Sequence, residues 1–151
     1  MRVLGPDHLH TLTVRNNLAL AVLEAGDPAR AVGLFETLLA EQTRVLGAEH
    51  PHTLATCNNL ALAVREAGDP ARAVGLFEAL LEDRLRVLGA EHPRTLTTRV
   101  NLAVARYRRG RQAEAISDLR SLQVDLRSLP QPNEVLAERV SRLLDEWTQE
   151  D

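Results

Sequence analysis

The strongest constraint on the fold is an internal repeat of 42 residues. The tetrapeptide RVLG begins at Arg2, Arg44 and Arg86, at intervals of 42 residues. Residues 2–43 and 44–85 are identical at 30 of 42 positions, and residues 44–85 and 86–127 at 20 of 42. Identity at this level indicates duplication. A short unit repeated in tandem predicts a structure in which neighbouring units bury one another's apolar faces.

Each repeat has the pattern of two helices joined by a tight turn. In the second unit Leu54, Ala61 and Val64 recur at the spacing of one helical face. Gly68 is suited to end that helix, and Asp69 is suited to cap the next one. No segment has the alternation of a strand. The pattern predicts helices over residues 9–25, 28–46, 51–67, 70–88, 93–109 and 112–128.

The two ends of the chain differ from the repeat. A Pro-containing linker at residues 128–133 precedes an amphipathic segment at 134–149, which we predict to be a helix that covers the last repeat. At the front, residues 2–5 match the tail of a second helix whose body is missing. We therefore expect the first helix to have an uncovered apolar flank. The predicted organisation is one domain over residues 1–151, with repeats at about 2–43, 44–85 and 86–127.

Composition limits the classes of partner. The net charge is −3 and aromatic residues make up 3%. Neither a basic field nor stacking platforms for nucleic acid are therefore expected. No apolar run reaches the ~18 residues of a membrane span. A single cysteine excludes a disulfide framework within the chain. We expect a cytoplasmic protein that binds neither nucleic acid nor membranes.

Motifs for catalysis or cofactor binding are missing from the sequence. It contains no GxxxxGK[ST], GxGxxG or GxSxG. His8, His50 and His92 recur at the repeat interval, each just before a predicted helix. These imidazoles could be metal ligands or could cap free amides at the helix start, and capping is the preferred interpretation because no carboxylate or thiol cluster completes a metal site. We expect no enzyme activity, no cofactor and no metal.

The segment NNLALAVREAGDPARAVGLFE at 58–78 resembles the tetratricopeptide repeat. The matching positions are a small residue in the first helix, a turn glycine, an alanine early in the second helix and a following aromatic, which in this unit are Ala61, Gly68, Ala73 and Phe77. The 42-residue length and the LGxxHPxTLxxxNNLA pattern are similar to the long form found in kinesin light chains and bacterial signalling proteins. The resemblance implies an all-α, right-handed superhelical solenoid of three repeats with a C-terminal capping helix.

The same resemblance implies a partner-binding groove lined by the first helix of each repeat. In the family the first residue of the Asn pair faces this concave groove, and residues four and seven positions later share its helical face. Asparagine can donate and accept, which suits a peptide backbone. The predicted groove residues are Asn16, Leu20, Leu23, Asn58, Leu62, Arg65, Val100, Val104, Tyr107 and Arg108. The second Asn of each pair is predicted to form a structural hydrogen bond between helices.

The function that these patterns favour is a protein-interaction scaffold. It would bind a peptide or protein segment in the groove, as part of a regulatory or signalling protein that is expected to be bacterial. The alternative is a structural module that forms homo-oligomers through its exposed repeat ends. Independently of these alternatives, the basic residues Arg106, Arg108, Arg109 and Arg111 are interpreted either as a solvated helix end or as a contact for an acidic partner.

Overall fold

The computed structural model describes residues 8–149, and all regular structure there is helical. The helices are α1 (Leu9–Glu24), α2 (Pro28–Leu46), α3 (Pro51–Glu66), α4 (Pro70–Val87), α5 (Pro93–Arg108), α6 (Gln112–Arg127) and α7 (Glu134–Gln149). The all-α prediction is confirmed, and every predicted helix ends within one residue of its observed end. The RVLG segment at 2–5 lies outside the described residues. No helix within 8–149 is long and apolar enough to cross a membrane.

The turn between the two helices of a repeat combines two capping motifs. Gly26 has a φ of 90°, a backbone conformation that glycine adopts without strain. The Asp27 N–H donates to the carbonyl of Val22, five residues back, and Gly26 N–H donates to Leu23, as in a Schellman motif. The Asp27 Oδ1 then accepts from Arg30 N–H at 3.2 Å. One dipeptide therefore ends α1 and begins α2.

The start of the first helix of each repeat is capped by histidine. Nδ1 of His8, His50 and His92 accepts, at 3.1 Å, from the backbone N–H two residues later. This satisfies one of the four amides that a helix start leaves unpaired. Capping, the preferred interpretation of the recurring histidines, is confirmed. Among residues 8–149 there is no group of three His, Cys, Asp or Glu side chains that could hold a metal ion.

The chain divides into two compact units, residues 1–76 and 77–151. In unit 1, α1 packs on α2 and α2 packs on α3. Phe35, Leu12 and Ala19 are fully buried there. Burial of each large apolar side chain stabilises the fold by about 1.5–3 kcal/mol.

Unit 2 is built around α5, α6 and α7. The apolar stripe of α7, which consists of Leu136, Val140, Leu144 and Trp147, packs in one cluster with Leu96 and Val100 of α5 and with Leu119 of α6. The prediction of a C-terminal helix that covers the last repeat is confirmed.

Candidate functional site

The first helices of the first two repeats lie in contact through their asparagines. Asn16 Oδ1 of α1 accepts from Asn59 Nδ2 at 3.2 Å and from Thr56 Oγ1 at 3.4 Å, both on α3. The two residues of the Asn pair therefore meet across the helix boundary, the first of one repeat with the second of the next. Asn59 makes the inter-helix bond that was predicted for the second Asn. Asn16, predicted for the groove, receives that bond.

Equivalent stripes of α1 and α3 are partly exposed in unit 1. Asn16, Leu20 and Leu23 lie at i, i+4 and i+7, so they share one face of α1. Asn58, Leu62 and Arg65 share the equivalent face of α3. All six side chains are partly exposed. We call these six residues the α1–α3 face.

The α1–α3 face mixes apolar and polar groups. Leu20 and Leu62 supply apolar surface, and the Asn16 oxygen is already engaged by α3. Because the oxygen of Asn16 is oriented by that bond, the direction of its N–H₂ group is set as well. Arg65 pairs with its neighbour Glu66 at 3.3 Å, and 11% of its side chain is exposed. The face can therefore offer both hydrogen-bond donors and apolar contact to a protein segment.

The equivalent positions of unit 2 pack against the C-terminal helix, with Val100 buried and Val104 and Tyr107 partly buried. Val100 is 0% exposed and belongs to the cluster with α7. Val104 and Tyr107 pack against the same cluster. The Tyr107 ring stacks on Trp147 of α7, with centroids 4.2 Å apart and an interplanar angle of 11°.

This arrangement corrects the prediction for Val100. It is a core residue, so a partner cannot contact it while α7 is in place. Where the first two repeats have Asn, the third has Val100, which packs with the apolar stripe of α7. The neighbouring Asn101 is also buried, at 3% exposure, and its Oδ1 accepts from Arg139 of α7 at 3.4 Å. Burial lowers the pKa of the Arg139 guanidinium, and Arg142 lowers it further.

Trp147 and Arg139 were absent from the predicted site, although both contact α5. Trp147 stacks on Tyr107, and Arg139 donates to Asn101. A signal for the role of Trp147 was present in the sequence. The change from Asn58 to Val100 and the apolar period of residues 136–147 together indicate an apolar contact at this position.

The basic cluster divides into paired and exposed residues. Arg106 contacts three carboxylates, with Asp118 Oδ2 at 2.6 Å, Glu78 Oε1 at 3.3 Å and Glu114 Oε1 at 3.5 Å. Burial alone would lower the pKa of Arg106, but these carboxylates raise it above its ordinary value. Its positive charge is therefore balanced within unit 2. Arg108 and Arg109 are exposed at the end of α5, where cations interact favourably with the helix dipole.

The comparisons with known proteins agree with the helical architecture. The family model of the tetratricopeptide repeat matches residues 11–52 and 53–94, which together are more than half of the chain. A comparison with curated protein sequences gives no match.

Among solved structures, the chain is similar to a protein from Podosopora anserina described as a kinesin light chain with nearly identical TPR-like repeats. The identity is 28%, the TM-score is 0.79, and the alignment covers 97% of this chain and 70% of that one. BtubC (BKLC) from P. vanneervenii is 20% identical with a TM-score of 0.81, over 99% of this chain and 59% of that one. The translocator chaperone SycD from Yersinia enterocolitica is 22% identical with a TM-score of 0.69, over 92% and 91%.

Proposed function

Because the chain belongs to the tetratricopeptide-repeat family, whose fold is a non-catalytic scaffold for protein interactions, we propose that its α1–α3 face binds a segment of a partner protein. The observation that supports this most is the pairing of Asn16 with Asn59. That bond holds two partly exposed stripes side by side, which share an Asn and a Leu and differ at Leu23 and Arg65. A module of this kind would serve a regulatory or signalling protein by holding its partner.

The role of each residue follows from its chemistry. Leu20 and Leu62 contact apolar side chains of the segment, and burial contributes about 25 cal/mol per Å² of apolar surface. The amides of Asn16 and Asn58 bond to its backbone, which makes this part of the recognition independent of sequence. Leu23 and Arg65 occupy the same position in successive repeats. A segment with an apolar residue at one end and an acidic residue at the other therefore matches this pair best.

Unit 2 is expected to contribute less to this binding. Tyr107 and Val104, which correspond to Arg65 and Leu62, are packed against the cluster that contains α7. Arg108 is exposed, but Val104, which lies four residues earlier on the same helix, packs against that cluster. The proposal therefore assigns the binding to unit 1.

The test replaces Leu20 and Leu62 by Ser and measures binding of peptides selected from a random linear-peptide display library on the wild-type chain. These two substitutions remove apolar contact and leave the Asn16–Asn59 bond intact. The expected loss of affinity is about 10-fold or more, since two buried Leu side chains stabilise a complex by more than 1.4 kcal/mol.

The matched control replaces two exposed valines of unit 2, Val124 and Val135, by Ser. They are 59% and 82% exposed, so the control changes the same number of apolar side chains on surfaces outside the α1–α3 face. Equal affinity of the Leu double variant and the wild type, with unchanged helical circular dichroism, would contradict the proposed face. So would a loss of affinity in the valine control.

A further inference from the structure

The three repeats differ in polarity at one buried position toward the end of the second helix. This position holds Gln42 in α2, Arg84 in α4 and Leu126 in α6, at intervals of 42 residues. The three side chains are 1%, 5% and 6% exposed. A buried polar side chain costs free energy unless its donors and acceptors are bonded. The first two repeats must therefore satisfy a buried polar group at a position where the third repeat has none.

The helix that follows supplies a matching residue, three positions after its N-cap. In α5 this residue is Thr95, whose Oγ1 donates to the carbonyl oxygen of Arg84 at 3.4 Å. In α7 it is Leu136, which packs in the same cluster as Leu126. In α3 it is Thr53, which is 1% exposed, and α3 packs on α2. Both positions are therefore polar in the first two repeats and apolar in the third.

In unit 2 the long side chain of Arg84 bonds to the beginning of the next helix. Its Nη1 donates to Thr98 Oγ1 at 2.7 Å and to the carbonyl oxygen of Arg94 at 3.2 Å. A guanidinium group therefore bridges a hydroxyl and a backbone oxygen that are both on α5.

In unit 1 glutamine is at the same position, and its side chain is shorter than that of arginine. The Oε1 of Gln42 and the Oγ1 of Thr53 are both buried and have no hydrogen-bond partner among the described residues. An amide oxygen can only accept, whereas a hydroxyl can donate and accept. A ligand for both atoms must therefore donate to Gln42, and it can accept from Thr53.

We infer that the junction of α2 and α3 binds one internal water molecule, held by Gln42 Oε1 and Thr53 Oγ1. Water has the donors and acceptors that both atoms require, and internal waters typically make about three hydrogen bonds to buried polar groups. The carbonyl oxygen of His52, which is equivalent to that of Arg94, supplies a third partner. The side-chain ligands are uncharged, so they would not offset the cost of burying a metal cation. The water takes the bridging role that the guanidinium of Arg84 has in unit 2.

The test counts internal waters by magnetic relaxation dispersion of water oxygen on the whole chain. Gln42→Arg introduces the residue of the second repeat, so the dispersion amplitude should fall by the equivalent of about one long-lived water molecule. Gln42→Leu introduces the residue of the third repeat, removes the acceptor and should lower the amplitude equally. An amplitude equal to that of the wild type, in whichever of the two variants keeps its helical circular dichroism, overturns the inference.

The matched control is Gln131→Arg, the same change at an exposed residue of the linker. It should leave the dispersion amplitude at the wild-type value. A fall in this control as large as that in Gln42→Arg would contradict the assignment of the water to the junction.

The position of the water is tested by a high-resolution crystal structure of the wild-type chain. An ordered water within hydrogen-bond distance of both Gln42 Oε1 and Thr53 Oγ1 is expected. A structure in which the two atoms share no water, for example because they bond to each other directly, contradicts the inference. Neither result bears on peptide binding at the α1–α3 face, so the two proposals are tested separately.

Discussion

The same stripe of helix positions is packed differently in the two units. In unit 1 the stripe that includes Leu20 and Leu62 is partly exposed, whereas in unit 2 Val100 is buried and Val104 and Tyr107 are partly buried against the cluster that contains α7. The repeat sequence alone does not produce this difference. It arises because a seventh, non-repeated helix occupies the α5 surface. A duplicated unit can therefore leave a stripe of positions partly exposed at one place and pack it against another helix elsewhere.

The largest effect is expected from removing the aromatic anchor of α7. Trp147→Ala deletes the stack on Tyr107 and opens a cavity beside Val100 and Leu144. We expect unit 2 to lose about 3–5 kcal/mol of unfolding free energy. Hydrogen exchange of α5 and α6 amides in urea measures this loss. Val135→Ala is the control, because Val135 is 82% exposed, and it should stay within about 0.5 kcal/mol of wild type.

A second prediction exchanges the residue that differs between the units. Val100→Asn restores the asparagine of the first two repeats but buries an amide against the apolar stripe of α7. The expected destabilisation is about 1–3 kcal/mol, the cost of a buried polar group without partners. The conservative control Val100→Ile keeps the site apolar and should cost less than about 1.5 kcal/mol. Denaturant midpoints that rank the two variants in the reverse order would argue against the packing described for α7.

The smallest effect concerns the turns. Asp27 caps α2 in unit 1, whereas Arg111 precedes α6 in unit 2 without a side-chain capping bond. We expect Asp27→Ala to destabilise by about 1 kcal/mol and Arg111→Asp to stabilise by up to about 1 kcal/mol. Thermal unfolding of both variants checks the signs. If Arg111→Asp lowers the midpoint, repulsion between the new carboxylate and Glu114 exceeds the capping bond.

The helices and turns could be predicted from the sequence because their causes are local. The spacing of Leu54, Ala61 and Val64 and the positive φ required at Gly68 depend on residues within one repeat. Helix ends were therefore predicted within one residue. The histidine caps were equally local, since each accepts from an amide two residues away.

The candidate site was harder to predict because its state depends on distant residues. Asn16 bonds to a residue 43 positions later, and Val100 is buried by a helix that begins at Glu134. Neither fact follows from the helical period. The substitution of Val for Asn was visible, but its meaning depended on where α7 packs.

The most direct test of the contrast between the units is an NMR titration of the intact chain with a library-selected peptide. Methyl resonances of Leu20 and Leu62 should shift together on binding, and those of Val104 should stay in place because Val104 packs against the cluster that contains α7. Shifts concentrated at Val104 and in α7, with Leu20 and Leu62 unchanged, would show that the binding surface lies in unit 2 and would contradict the account.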